Sequence, residues 1–469
     1  MYVTRKRICC FCDGTGQDAL VATDGKKLGD NEPLFFTNVL RMSRAVKPTA
    51  QDTSNAYNHG GVILQVVYYQ AGVGTDHDFK GHASTPQYAL QLFGDSAASK
   101  IRDAYAFISH NYAEGDEILL FGFSRGAYTA RKVAGLIDRI GLLPMKEMGN
   151  FYSYCYALET GKGDPPPHPA KPVPIQVVGV WDTVGAIRTS LWQAYPGCVD
   201  RLDISDTIVP ATVKVALHAV SFHENRNWFL PNLMEVPPEK KMSKEERAAR
   251  KDQIVKEVWF PGEHSDVGGG WAAHELADIA LIWMASEVAP YLDLDEEQLL
   301  DALRASPDKP NWGESIPHNS WTNTPGTVAF VGRIEPMTRL DSGQLKADVL
   351  LHPSMLDNPC PTREEMDEYD SGDYDSDKGN RLQAGRDKDD VDVDLVHAFG
   401  EHMITLDDMN HRFGAEWKPR LVELKPLELK ARQIWHEMRP QSGHAATYES
   451  VAQEKNFARN DSAAALAKA

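Results

Sequence analysis

Short apolar segments of the kind that form buried parallel strands recur from Lys6 to about Leu292, and each ends in glycine and polar residues. The clearest of these segments are Lys6–Cys12, Val62–Tyr69, Glu117–Phe121, Ile175–Trp181 and Val255–Pro261. Helical spacing predicts helices that start near Thr37 and after Ser124, and others over Ser96–Tyr112 and Glu275–Ala289, whereas Val213–Phe222 fits a helix or a strand. Strands that alternate with helices predict an α/β fold, with a mostly parallel sheet flanked by helices.

The regular pattern weakens after Leu292. We therefore predict a catalytic domain over residues 1–340, with insertions, and an irregular C-terminal extension over residues 341–469 that packs on it. Within the extension, residues 363–394 are acidic and poor in apolar side chains, which is typical of a flexible segment. One stretch of this segment resembles a calcium loop, but its glycine falls one position late and Ala384 replaces the required bidentate Glu. A disordered acidic loop is the favoured interpretation.

The charge of the chain limits its partners. The 469 residues carry a formal net charge of −18 at pH 7, which argues against an electrostatic attraction to nucleic acid or to an anionic membrane. The N-terminal region lacks the apolar run of a signal peptide, and no segment has the length of a membrane span. We expect a soluble, cytoplasmic protein for which contact with a membrane surface stays possible. The sequence does not specify an oligomeric state.

Three of the six cysteines, Cys9, Cys10 and Cys12, are clustered in the first predicted strand. Small buried residues with free thiols are the expected state of adjacent cysteines in an apolar strand. A metal site at these thiols is disfavoured because no second Cys/His cluster at ligand spacing completes it. We expect neither a metal nor an organic cofactor.

The segment Glu117–Arg131 carries the strongest chemical signal. A short apolar strand leads through the sequence G-F-S-R-G into a segment with helical spacing, and this context makes a G-x-S-x-G string a nucleophile elbow. Gly122 and Gly126 leave room for the strand and the helix to meet in a tight turn. Ser124 would stand at the apex with its hydroxyl exposed. The alternative is a glycine-rich turn with an inert, solvent-facing serine.

Two other predicted strands end in polar clusters, W-D-T-V-G-A with Asp182 and F-P-G-E-H-S-D-V-G-G-G with His264. The carboxyl ends of parallel strands share one edge of a sheet, and the chain order Ser, Asp, His is that of α/β-hydrolases. We predict Ser124 as nucleophile, His264 as base and Asp182 as the group that orients the base. Asp182 could instead cap its turn. The substitutes are Asp203 or Asp206 as the acid and His218, His223 or His274 as the base, although His218 lies in an apolar run typical of a core histidine.

An oxyanion hole requires two N–H donors. The first is predicted to be the Arg125 N–H at the start of the helix that follows Ser124. The second should come from the turn Asp13-Gly14-Thr15 after the first strand, where Gly14 can adopt a conformation that aims its N–H inward. A purely structural role for Asp13 at this sheet edge is the alternative.

Five motifs occur in order that together resemble a known family. They are C-D-G-T-G, Y-Y-Q-A-G-V-G-T, G-F-S-R-G-A-Y-T-A-R, V-G-V-W-D-T-V-G-A and V-W-F-P-G-E-H-S-D-V-G-G-G, the last followed by L-A-D-I-A-L-I-W-M. Over about residues 6–290 the chain resembles the α/β-hydrolase domain of type VI secretion phospholipase effectors and their relatives. The resemblance implies a triad of Ser124, Asp182 and His264 and activity on ester bonds of glycerophospholipids or other lipids. The segment A-L-H-A-V-S-F-H-E-N-R matches the corresponding family stretch only loosely, and no membrane-anchoring insertion is found.

The resulting expectation is an α/β-hydrolase-like serine esterase or lipase that forms an acyl-enzyme on Ser124. One rival is a catalytically silent scaffold that keeps the fold for interactions. Another is a phosphohydrolase that uses Asp13, which is disfavoured because Phe11 stands where a second acidic residue is needed. A lid over the acyl pocket could come from Pro231–Ile254 or from the region after Leu292.

Overall fold

Strands and helices alternate along most of the chain in the computed structural model, which describes residues 2–14, 34–53, 61–72, 89–163, 172–185, 204–205, 207–301, 303, 311–323, 335–359 and 403–437. The strands are β1 (Tyr2–Cys12), β2 (Leu34–Thr37), β3 (Thr49–Asp52), β4 (Gly61–Gln70), β5 (Glu117–Phe123), β6 (Ile175–Trp181), β7 (Val213–Ser221), β8 (Ile254–Phe260), β9 (Gly269–Trp271), β10 (Leu350–Leu351) and β11 (Arg420–Leu421). The α-helices are α1 (Asn38–Ala45), α2 (Ala89–Asn111), α3 (Arg125–Ile140), α4 (Phe151–Thr160), α5 (Lys244–Ala249), α6 (His264–Gly268), α7 (Glu275–Val288), α8 (Glu296–Asp301), α9 (Ser320–Asn323), α10 (Ser354–Asp357), α11 (Leu406–Phe413) and α12 (Pro426–Glu437). Short 3-10 turns cover Met145–Asn150, Asn227–Phe229, Glu239–Lys241 and Gly414–Glu416.

Nine of these strands form one sheet in the order β11-β10-β8-β7-β6-β5-β1-β4-β3. All its pairings are parallel except that of β3 with β4, while β2 and β9 form a separate antiparallel pair. The predicted α/β fold with a mostly parallel sheet is therefore confirmed. The segment Val213–Phe222, which fitted either a helix or a strand, contains strand β7. It lies between β6 and β8 and is buried on both faces, so its apolar run shows no alternation.

Helices cover both faces of the sheet, and the side chains of β1 alternate between the two resulting cores. Cys9 and Phe11 point into the core formed with α1, α7, α8 and α12, whereas Cys10 and Cys12 point into the core formed with α2, α3 and α4. These cysteines are buried and free, as predicted. Burial raises the pKa of Cys9 and of Cys12 to about 12, so both stay thiols.

Helix α1 begins where the pattern predicts, next to Thr37. The Thr37 side chain accepts a hydrogen bond from the Leu40 N–H as the N-cap of α1. The residues just before this helix, Leu34–Thr37, form strand β2, which pairs with β9.

The described residues after position 340 take part in the same sheet. Strand β10 pairs with β8, and β11 pairs with β10. A third core joins Val220, Phe222 and Trp259 to later apolar residues that include Leu351 and Met409. The boundary at residue 340 stays a prediction. Residues 363–394, with the calcium-loop-like stretch, lie outside the described residues.

A membrane span is not found in the structure. No helix in the described ranges is both long and apolar enough to cross a bilayer.

Candidate active site

Ser124 occupies the tight turn between β5 and α3. Strand β5 ends at Phe123 and α3 begins at Arg125, and Ser124 itself has φ 58° and ψ −123°. Neither neighbouring glycine can carry a side chain, because a Cβ on Gly122 would lie 2.5 Å from the Gly126 oxygen and one on Gly126 would lie 2.0 Å from the Cys12 oxygen. The strand and the helix therefore meet closely, and the backbone of Ser124 between them has a strained conformation of the kind found at functional sites.

The three predicted catalytic side chains meet at the carboxyl edge of the sheet. Ser124 Oγ lies 2.8 Å from His264 Nε2, and His264 Nδ1 lies 2.6 Å from Asp182 Oδ2. Asp182 follows β6, and His264 is the first residue of α6 after β8. All three residues are at most 5% exposed. A neutral imidazole with its proton on Nδ1 donates to Asp182 and leaves Nε2 free to accept the serine proton.

Asp182 is held by more than the histidine. Its Oδ1 accepts the Ser221 N–H at 3.0 Å, and its Oδ2 accepts Arg339 Nη2–H at 3.1 Å. Besides Ser124, Asp182 is the only non-glycine residue in the described ranges with a positive φ, at 33°. Burial alone raises the pKa of this carboxyl, but the charge of Arg339 and the hydrogen bond from His264 outweigh it and lower the pKa. Asp182 is therefore an ionised carboxylate at neutral pH.

The imidazole of His264 is enclosed by aromatic rings. The ring of Phe123 lies 4.6 Å from it and that of Phe229 lies 5.0 Å from it, edge to face. Burial lowers the pKa of His264 below its usual value, although the neighbouring charges of Asp182 and Glu224 oppose this shift. The base is consequently neutral at physiological pH, as proton abstraction requires.

A second polar cluster lies behind His264. Glu224 Oε2 accepts the backbone N–H of His264 at 3.2 Å, and Arg226 donates to both oxygens of Glu224 at 2.8 Å. Ser320 Oγ lies 2.9 Å from Glu224 Oε2 and 2.6 Å from Glu263 Oε2. One hydroxyl proton cannot serve two carboxylates, so one carboxyl of this pair carries a proton when both contacts form.

Of the two carboxyls, Glu263 is the one whose surroundings favour the protonated form. Burial, helped by the negative charges of Asp266 and Glu224, raises the pKa of Glu263 to about 7. For Glu224, the two hydrogen bonds and the charge of Arg226 outweigh the effect of burial and lower its pKa. No role for this cluster was predicted from the sequence. The only signal was H-E-N-R at the end of β7, which matched the family stretch only loosely.

The alternative bases are engaged elsewhere. His218 Nε2 accepts the Thr183 N–H at 3.0 Å while Nδ1 faces Glu257, so it is a core histidine, as predicted. His223 Nδ1 accepts the Gly262 N–H at 2.8 Å, and burial lowers its pKa to about 3. His274 pairs with Asp278. The alternative acids Asp203 and Asp206 lie outside the described residues.

On the other side of the elbow, Asp13 lies at the end of β1. Its carboxylate accepts hydrogen bonds from Thr37 Oγ1 at 2.7 Å, from the Tyr69 hydroxyl at 2.6 Å and from the Gly14 N–H at 2.7 Å. Thr37 precedes α1, and Tyr69 lies on β4. Asp13 therefore ties three elements together, as its structural interpretation predicts, and these contacts leave its carboxylate poorly placed for a phosphohydrolase nucleophile.

The role of Gly14 as an oxyanion donor stays a prediction. Gly14 does lie next to the nucleophile, since a Cβ on Gly14 would lie 3.4 Å from Ser124 Cβ. Its N–H, however, donates to Asp13 Oδ1 instead of pointing into the site, because the buried carboxylate takes the nearest donor. Thr15, the other predicted donor of this turn, lies outside the described residues. Arg125 is the first residue of α3, where helical N–H groups have no acceptor within the helix.

The segment proposed as a lid is anchored where it begins. Pro231 bridges to Val184, and the Asn232 N–H donates to the Thr183 oxygen at 2.8 Å. Arg131 donates to the carbonyl oxygens of Asn232 and Leu233. The start of Pro231–Ile254 is thus a fixed wall beside Asp182, and the lid stays a hypothesis for the remainder.

Comparison with known proteins places the chain in a family. A sequence model described as "T6SS, Phospholipase effector Tle1-like, catalytic domain" matches residues 6–287. The chain belongs to this family. Membership in a family of phospholipase effector catalytic domains supports a hydrolase that acts on lipid esters.

Individual relatives are more distant. A Saccharomyces cerevisiae protein described as "Uncharacterized protein YEL023C" is 28% identical over 242 residues, which cover 46% of this chain and 32% of that protein. The structure of a Tle1 effector bound to the VgrG spike of the type 6 secretion system is 20% identical, with a TM-score of 0.32, and covers 58% of this chain and 52% of that one. An uncharacterized Pseudomonas aeruginosa protein is 15% identical, with a TM-score of 0.34, and covers 92% of this chain and 66% of that one. The chain thus matches about a third of the yeast relative and about half of the effector, and both structural likenesses are too weak to add to the family assignment.

Proposed function

We propose that this chain is a serine hydrolase that cleaves carboxylic ester bonds of lipids, with phospholipids as the substrate class, through an acyl-enzyme on Ser124. The observation that carries the proposal is the unbroken line of short contacts from Ser124 Oγ to His264 Nε2, at 2.8 Å, and from His264 Nδ1 to Asp182 Oδ2, at 2.6 Å. Family membership supports the substrate class.

In the acylation step, His264 Nε2 takes the proton of Ser124 Oγ while the oxygen attacks the ester carbonyl carbon. The imidazolium that forms is stabilised by ionised Asp182, which also fixes the tautomer. His264 then gives the proton to the alcohol that leaves. The lowered pKa of His264 favours this sequence, because the base is neutral before the attack and a strong enough acid after it.

The negative charge on the carbonyl oxygen requires N–H donors. Arg125 N–H, at the start of α3, supplies one donor in our proposal. The turn after β1 supplies the other. Because the Gly14 N–H is bonded to Asp13, either Thr15 serves as this donor or Gly14 exchanges its bond when the oxyanion forms.

Deacylation repeats the same proton transfers with water in place of the serine hydroxyl. Water attacks the acyl carbon as His264 takes its proton, and the proton returns to Ser124 Oγ as the fatty acid leaves.

Release of fatty acid from phospholipid vesicles tests the proposal. We expect wild type to release free fatty acid and lysophospholipid from zwitterionic phosphatidylcholine vesicles, detected by mass spectrometry, and to hydrolyse p-nitrophenyl esters with a preferred acyl length. Ser124→Ala and His264→Ala should each abolish both activities while far-UV circular dichroism stays unchanged. Folded wild type that releases no acid from any vesicle or ester would favour the silent scaffold instead.

A further inference from the structure

Arg339 lies far along the chain from the catalytic residues, yet its side chain reaches Asp182. Nη2 lies 3.1 Å from Asp182 Oδ2, 3.4 Å from Asp182 Oδ1 and 3.0 Å from Ser221 Oγ, and Nη1 donates to the Phe229 oxygen. Arg339 and Asp182 are both 0% exposed. The guanidinium thus joins the triad carboxylate to β7 and to the aromatic residue that covers His264.

The backbone around Arg339 is built to hold this side chain in place. The Met337 N–H donates to the Asn225 oxygen at 2.8 Å, and the Arg339 oxygen accepts N–H groups from Gln344 and Leu345 at 3.1 Å. Thr338 and Asp341 bond to each other across the turn. The segment 335–345 is therefore fixed on both sides of Arg339.

Stability alone is a poor explanation for this arginine. Removing a guanidinium from water is costly, and a buried ion pair often gains little over apolar side chains of the same volume. In addition, Arg339 Nε has no hydrogen-bond partner among the described residues. A buried group of this kind calls for an explanation.

We propose that Arg339 is a positioning residue of the hydrolase site, which holds the Asp182 carboxylate in place for His264. This inference rests on the proposed function of the triad. It also assigns a working part of the catalytic centre to a segment beyond residue 287, where the family match ends. Ser320, which bridges the two glutamates behind His264, lies beyond that end as well.

The second effect of Arg339 is electrostatic. Asp182 interacts with both Arg339 and His264. Because the positive charge of Arg339 offsets the negative charge of Asp182, it weakens the stabilisation of protonated His264. Removing the charge of Arg339 should therefore raise the pKa of His264. The other charged groups that act on this imidazole, Glu224 and Arg226, are left in place by the change.

The test compares Arg339→Met with Arg250→Met. Arg250 is the matched control because its side chain, at 7% exposed, is nearly buried as well. It donates hydrogen bonds to the Glu246 carboxylate and to the Val209 oxygen, away from the triad. The readout is kcat/KM against pH on a water-soluble ester, per active site as titrated with a fluorophosphonate. We expect kcat/KM of Arg339→Met to fall ~10- to 100-fold, the range found for residues that orient the ligands of a metal site. The midpoint of its acid limb should rise by about one pH unit.

Arg250→Met should change only stability. An Arg339→Met variant with wild-type kcat/KM and an unmoved midpoint would overturn the proposal. If that variant does not fold, Arg339→Lys takes its place, because lysine keeps the charge but cannot reach Asp182, Ser221 and the Phe229 oxygen together. Its kcat/KM should fall several-fold with an unmoved midpoint, and wild-type kcat/KM would again overturn the proposal.

Failure of the proposed function is detected separately. If wild type hydrolyses no ester, the triad proposal fails, and the pKa of His264 is then measured directly by NMR of ¹⁵N-labelled imidazoles, assigned with His264→Gln. A His264 pKa that rises in Arg339→Met supports the link from Arg339 through Asp182. A pKa equal to that of wild type overturns it.

Discussion

Two buried aspartates flank the elbow strand β5, one on each side, and their surroundings differ. Asp182 follows β6 and Asp13 follows β1, so both lie at the carboxyl edge of the sheet. The partners of Asp182 are an imidazole and a guanidinium, and its backbone has a positive φ. The described partners of Asp13 include two hydroxyls and the N–H of Gly14.

The difference teaches that the position of an acidic residue after a strand does not decide its role. Asp182 interacts with groups that carry or can accept charge, so its carboxylate can respond to a proton transfer. The described donors to Asp13 include two hydroxyls and a backbone N–H, and these contacts hold the turn after β1 against β4 and the start of α1. We therefore propose that Asp182 takes part in catalysis and that Asp13 holds the turn after β1 in place. The predictions below distinguish these two roles.

The largest effect is expected from Asp182→Asn. The amide cannot stabilise the imidazolium and favours the wrong tautomer of His264, so kcat should fall ~10⁴-fold. Steady-state kinetics on a soluble ester, with the folded fraction checked by circular dichroism, measures this. Loss of less than ten-fold would remove Asp182 from the triad.

A much smaller effect is expected from the matched change Asp13→Asn. The amide keeps one acceptor oxygen, but at least one buried donor loses its partner, which costs about 1–3 kcal/mol of stability. Activity should fall by roughly ten-fold or less, because only the turn beside Ser124 loosens. Urea unfolding measures the loss of stability, and the same ester assay measures the loss of activity. An activity loss as large as that of Asp182→Asn would mean that Asp13 takes part in the chemistry.

The dependence of kcat/KM on pH below neutrality should also distinguish the roles of Asp182 and Asp13. Burial lowers the pKa of His264, so the midpoint of kcat/KM should lie below the value of about 6.5 for a free imidazole. Activity is lost below this midpoint because protonated His264 cannot accept the serine proton. Asp13→Asn should leave the midpoint in place. A wild-type midpoint above neutrality would contradict the buried, neutral base.

The smallest effect is expected from Tyr69→Phe, which deletes one of the described hydrogen bonds to Asp13. Stability should fall by about 1 kcal/mol and activity by a few-fold at most. Tyr105→Phe is the control, since that hydroxyl also bonds in the interior but contacts the Gly141 oxygen and the Leu143 N–H, far from the triad. Equal activity in the two variants, with equal stability losses, would show that the turn after β1 is not used in catalysis.

The sequence was sufficient for the parts of the site that lie on regular elements. Ser124, Asp182 and His264 each follow an apolar strand, and parallel strands bring such positions to one edge. Arg339 could not be predicted, because it comes from an irregular segment whose hydrogen bonds to the Asn225 region leave no periodicity in the sequence. The hydrogen bond of the Gly14 N–H could not be predicted either, because its acceptor is the side chain of the preceding residue, Asp13.

The most direct test of the account is covalent labelling with a fluorophosphonate, located by mass spectrometry of the digested protein. The account predicts a single adduct on the peptide that contains Ser124, formed at nearly the same rate in wild type and Asp13→Asn. The adduct should be absent from Ser124→Ala and form far more slowly in Asp182→Asn. Folded wild type that stays unlabelled, or an adduct on another residue that persists in Ser124→Ala, would contradict the proposal that Ser124 is the activated nucleophile.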